Sequence, residues 1–135
     1  MEPITVHRRF RPWRYGVGHS QLLLHARADD GHREHINVLF EDVRAVKLRS
    51  SFQPLILLSA DAATRADILA FAEIPERHRL RYLCLVLPTN GAEPGFILCA
   101  RATVMALPAD GPGSPYAWGD DHWQILHRLT RQDST

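Results

Sequence analysis

Residues 20–27, Ser-Gln-Leu-Leu-Leu-His-Ala-Arg, and residues 34–40, Glu-His-Ile-Asn-Val-Leu-Phe, flank the tripeptide Asp29-Asp30-Gly31, and this stretch decides the fold. In an extended chain successive side chains point to opposite faces of a sheet. Leu22 and Leu24 then share one face of the first segment, and Ile36, Val38 and Phe40 share one face of the second. Bringing both apolar sets to one side pairs Leu22 with Val38 and Leu24 with Ile36. A one-residue slip would set Leu24 against Asn37 and spoil the core. The same register leaves Asp29-Asp30-Gly31 as a three-residue loop, whose last, left-handed position favours glycine. The expected hairpin therefore puts His25 opposite His35 and Arg27 opposite Arg33, on the face turned away from the core.

Outward from this hairpin, residues 13–17, 44–48 and 55–58 also read as short strands. The spacing predicts a helix over 61–72, with Asp61 as N-cap, Ile68, Phe71 and Ala72 at helical intervals, and Pro75 beyond its end. Residues 82–87 and 96–107 are apolar enough for central strands, joined by Thr-Asn-Gly-Ala-Glu-Pro. Pairing them symmetrically sets Cys84 opposite Cys99. Residues 108–119 are Pro/Gly-rich and irregular, after which Asp120 or Asp121 caps an expected C-terminal helix with Ile125, Leu126 and Leu129 on one face. The fold class is thus α+β, an antiparallel sheet or small barrel with two helices, one of them C-terminal, and residues 1–135 form a single domain. A body of strands ending in a helix is similar to the helix-capped barrels of pleckstrin-homology-like domains, an analogy of fold only.

Trp13-Arg14-Tyr15, then Gly18-His-Ser-Gln-Leu-Leu-Leu24, then Ile36-Asn-Val-Leu-Phe40 with Val43, resembles a small bacterial protein family without an assigned activity. The resemblance covers about the first half of the chain. It implies a common fold and transfers no catalytic residue.

Composition narrows the function classes. A chain of 135 residues with 45% hydrophobic and 23% charged residues is an ordinary globular domain. A net charge of +1 excludes the overall basicity of a typical nucleic-acid binder. Leu55-Ile56-Leu57-Leu58 falls far short of a membrane span, and the first ten residues lack the apolar centre of a signal peptide. Two cysteines are too few for a disulfide scaffold. These features lead to the expectation of a cytoplasmic protein with no membrane association. Of sixteen basic residues only Lys47 is lysine, so nearly every cation is a guanidinium able to pair bidentately with carboxylate or phosphate.

Eight histidines are the most conspicuous chemical feature. His32 and His35 lie across a turn and a strand and should not point the same way. His122 and His127, on the expected helix, would be about 140° apart around its axis. No metal-binding spacing occurs, and no metal or cofactor is expected. His25 and His35, with Arg27, Arg33 and Asn37 on the same face, form a candidate ligand site able to receive a phosphate or carboxylate. The plainer reading is a solvated outer sheet face. His7, Arg8, Arg9, Arg11 and Arg14, interleaved with Phe10, Trp13 and Tyr15, can stack bases and contact phosphates. They read equally as a charged edge strand guarded against aggregation. Nothing else extends that positive surface, so nucleic acid is not the expected partner.

No serine lies in a nucleophile elbow, and no catalytic residue is assigned. Cys84 and Cys99, set in apolar strands, should be reduced, inert thiols. Tyr116, Trp118 and Trp123 are candidate partner-binding aromatics, or else fold back over the sheet. The leading expectation is a non-catalytic binding or protein-interaction domain, its partner another protein or a second copy in a homodimer. The alternative is a small hydrolase or anion-binding enzyme using His25 and His35.

Overall fold

Alternating apolar residues build two antiparallel sheets that face each other across one core. The computed structural model describes residues 1–16, 18, 20–115 and 121–131. In chain order its elements are β1 Ile4–Val6, β2 Arg11–Gly16, β3 Gln21–Ala26, β4 Glu34–Glu41, β5 Ala45–Lys47 and β6 Leu55–Ser59. There follow α1 Ala62–Phe71, a 3₁₀ helix Glu76–Arg81, β7 Leu83–Thr89, β8 Ala92–Cys99, β9 Arg101–Pro108 and β10 Gln124–Thr130. The first sheet has the order β1-β6-β7-β8-β5 and the second β10-β9-β4-β3-β2. Leu22, Leu24, Ile36, Val38, Phe40 and Val104 of the second sheet pack against Leu55, Leu57, Leu83, Leu85, Leu87 and Ile97 of the first. The sheets are not closed into a barrel, so the barrel option and its pleckstrin-homology-like analogy are not met.

The two sheets share a corner. β4 pairs with β9 from Glu34↔Pro108 to Glu41↔Arg101, and β5 pairs with β8 from Ala45↔Leu98 to Lys47↔Phe96. Ala100 N–H donates to the Glu41 carbonyl at 2.9 Å and Arg44 N–H to the Leu98 carbonyl at 2.8 Å, so pairing continues through the bend. Asp42, left-handed at φ 53°, turns one strand of this ribbon from sheet to sheet. Strands that switch sheets through a bend are how two layers form a corner. The run expected as one strand over 96–107 is accordingly two strands meeting at Ala100.

The outer faces differ. On the first sheet α1 buries Ile68 and Leu69 over Tyr82, Cys84 and Leu98. Asp61 caps that helix as expected, its carboxylate accepting from Thr64 N–H at 2.8 Å. On the second sheet Leu23, Leu39, Met105 and Leu107 pack under Trp123.

Three register and element expectations need correction. In the β3–β4 hairpin the apolar faces meet as expected, but two residues further along: Leu22 faces Phe40, Leu24 faces Val38, and His25 faces Asn37 rather than His35. The tip closes at an Asp29↔His32 bridge around Asp30-Gly31, and a bulge places Arg27 and Ala28 against Arg33, Glu34 and His35. Gly31 is not in the left-handed region, and Arg27 does not pair with Arg33. In β7–β8 the turn forms on Asn90-Gly91, with Gly91 at φ 63°, and a bulge beyond Leu87↔Gly95 offsets the ladder. Cys84 therefore faces Leu98, and Cys99 faces Leu83. Finally, the expected C-terminal helix is the edge strand β10, which is paired to β9 and bulged between Ile125 and His127. Among the described residues α1 is the only α-helix. The Asp120 capping position lies outside the described residues.

Candidate functional site

The outer face of the second sheet gathers polar groups at the hairpin end of β2, β3 and β4. Arg11 sits across from His25, which in turn sits across from Asn37. Pro12 suits the edge position of β2, where its missing N–H costs no ladder bond. The register shifts between Pro12 and Arg14, at Trp13, whose indole lies 5.2 Å from the His25 ring at 46°. The His25 and His35 rings stack at 5.7 Å and 22°. A row of three rings, Trp13, His25 and His35, results.

Each imidazole is held by one fixed partner. His25 Nδ1–H donates to the Asn37 side-chain carbonyl at 2.6 Å. His35 Nδ1 accepts from the Ala28 N–H at 3.0 Å. The Arg8 guanidinium donates to the carbonyls of Arg27 and Glu34, both at 2.9 Å, tying the two strands together where the bulge interrupts the ladder. Burial is the main cause that pushes the His25 pKa down, with Arg27 and Arg8 adding repulsion against the Asn37 hydrogen bond. Burial also leads for His35, followed by His25, Arg27 and Arg8. Both shifts favour the neutral rings at pH 7.

Beside these rings opens a cleft of about 380 Å³, whose lining includes three arginines, Arg9, Arg11 and Arg27. Among the described residues none of the three is ion-paired. Asp29 is the only carboxylate in the described lining. Its Oδ1 already accepts from Gly31 N–H and from His32 Nδ1, each at 2.9 Å, and the His32 bond is the leading cause that holds its pKa down.

Of the residues singled out in the sequence, His25, His35 and Arg27 meet in this cleft. Asn37 is fully buried behind His25 and orients it instead of meeting a ligand. Arg33 lies outside, in a neighbouring hollow beside Asp110. Trp123 is buried on the outer face of the second sheet, so its indole is spent on the chain's own core. Tyr116 and Trp118 lie outside the described residues. Arg9, Arg11 and Trp13 belong to the basic-aromatic stretch, which sequence reasoning kept apart from the histidine face. Only the β2–β3 register joins them. Comparisons with protein-family models, with curated proteins and with solved structures found no match.

Proposed function

We propose that this chain is a non-catalytic binding domain whose ligand is a small anion held in the His25–His35 cleft. The observation that carries this reading is a concave site lined by three arginines, free of ion pairs among the described residues, whose one described carboxylate is already engaged. Like charges gathered this way repel until an anion joins them, and guanidinium forks match oxyanions in geometry. The volume of about 380 Å³ falls in the range of roughly 300–1,000 Å³ seen for small-molecule sites.

Binding without chemistry is favoured by what the cleft lacks. Among its described lining residues there is no Ser, Thr or Cys to supply a hydroxyl or thiol nucleophile beside the imidazoles. The partner of His25 Nδ1 is a neutral amide, which orients the ring without making it a strong base.

Titration of histidine-labelled protein with phenyl phosphate, followed by NMR, tests the reading. The His25 and His35 resonances should shift saturably. Arg11→Gln and Arg27→Gln should each weaken binding by about tenfold or more, the loss of a charge-assisted bond, while Arg33→Gln should leave it unchanged. Absence of a saturable shift at either imidazole would defeat the proposal.

A further inference from the structure

The two imidazoles of the cleft are not equivalent. The Asn37 Oδ1 can only accept, so His25 carries a proton on Nδ1, and in the neutral ring its Nε2 is a bare acceptor. The Ala28 N–H can only donate, so His35 Nδ1 is bare and the neutral ring carries its proton on Nε2. Neither Nε2 has a hydrogen-bond partner among the described residues. The stacked rings thus offer one acceptor and one donor in a cleft lined by three arginines, whose charge calls for an anion. A fully deprotonated anion would satisfy His35 and the arginines but turn a lone pair toward the lone pair of His25. An anion that also bears an O–H would satisfy every group.

We infer that the cleft selects a phosphate monoester in its monoprotonated form, its P–OH donating to His25 Nε2 while its other oxygens accept from His35 Nε2–H and the guanidiniums of Arg9, Arg11 and Arg27. This rests on the anion reading of the same cleft. An organic group on the ligand fits the lining: Trp13, 46% exposed, adds a flat apolar wall that a bare oxyanion would not cover. Proton bookkeeping supports the choice. Around His25 stand Arg8 and Arg11 from the amino-terminal segment, Arg27 beyond β3, and His35 and Asn37 from β4, with no carboxylate bonded to the ring. Protonating His25 therefore meets burial and nearby cations. A phosphate monoester, with a second pKa of about 6, brings the proton itself. A sulfate monoester of the same shape carries none near neutrality.

Calorimetry on the full chain at about pH 6.5, using phenyl phosphate, phenyl sulfate and inorganic phosphate, separates the possibilities. Phenyl phosphate should bind at least about tenfold tighter than phenyl sulfate, and tighter than inorganic phosphate. Its affinity should fall about tenfold per pH unit above pH 7, with uptake of about one proton per ligand. Asn37→Asp gives the His25 Nδ1–H a carboxylate partner and raises the basicity of the ring, so it should improve phenyl sulfate binding and narrow the gap. His25→Gln, whose amide can both donate and accept, should also narrow it. Equal affinity of the native chain for phenyl phosphate and phenyl sulfate would overturn the protonation inference while leaving the anion cleft standing. Inorganic phosphate binding as tightly as phenyl phosphate would overturn the monoester assignment. Failure of all three to bind would overturn the anion reading as well.

Discussion

Phe10 and Phe52 exchange both of their main-chain hydrogen bonds, at 2.8 and 2.9 Å, although neither belongs to a strand. Phe10 precedes β2 of the second sheet, and Phe52 lies between β5 and β6 of the first. This single bridge therefore pins the margin of one sheet to the chain that enters the other. Both side chains are buried in the shared core. Phe10→Ala and Phe52→Ala should each destabilise by about 3–5 kcal/mol, the usual cost of truncating a core phenylalanine. Because the two rings sit on one bonded pair, the double variant should depart from additivity by about 0.5–3 kcal/mol in urea denaturation.

Gly95 is buried, and a Cβ added there would come within 2.5 Å of the Lys47 carbonyl oxygen, a main-chain atom that cannot swing aside. Gly95→Ala should part β5 from β8 and cost about 1–3 kcal/mol. Gly31→Ala, by contrast, meets only the Asp29 carboxylate at 3.6 Å and needs no left-handed backbone. It should change stability by no more than about 0.5 kcal/mol. Thermal unfolding of the two variants side by side reads the difference.

The lowered pKa values of His25 and His35 set a direction for pH dependence. Both shifts arise first from burial. The unfolded chain takes up protons near pH 6.5, which the folded chain refuses until lower pH. Stability is therefore full above about pH 6.5 and declines as pH falls below it. Asp29 and Asp61, held down by hydrogen bonds, titrate below this window and do not alter the sign. Urea midpoints measured from pH 8 to about pH 5 should fall for the native chain and fall less for His25→Gln.

Cys84 and Cys99 are free and buried, on opposite faces of the first sheet. Burial pushes the Cys84 thiol up to about 11 and the Cys99 thiol higher still. Since the thiolate is the reactive form, neither should react readily with a thiol reagent in the folded chain at about pH 8. Denatured without reductant, the chain should titrate as two thiols. Recovery of fewer would mean that the cysteines had oxidised.

Alternation made the strand faces legible in the sequence; register was harder to read. Leu22, Leu24, Ile36, Val38 and Phe40 point inward as their period-two spacing requires. Their partners moved because a bulge beside Arg27 and a two-residue turn replaced the three-residue loop, and bulges carry little signal in a single sequence. Asn90-Gly91 was a readable hairpin turn that should have displaced the symmetric pairing of the cysteines. Ile125, Leu126 and Leu129 fit one helical face, but the bulge in β10 breaks the strand period that would have argued otherwise. Half of the cleft was visible in His25, His35 and Arg27. Arg9, Arg11 and Trp13 join it through the pairing of β2 with β3, a contact between segments that share no local pattern.

The bend at Asp42 and Ala100 also limits how the molecule can move. Two-layer proteins commonly adapt to ligands by shear, one packed layer sliding over the other. Here β4 continues into β5 and β8 into β9, so any slide would have to stretch a hydrogen-bonded ribbon along its own length. Opening like a book would leave that ribbon intact as the spine but would break the Phe10–Phe52 bridge, which acts as a clasp. The β3–β4 tip beside the cleft is braced as well, by Arg8 across its bulge and by the Asp29–His32 bridge, so a ligand meets a frame that is stiff on both sides.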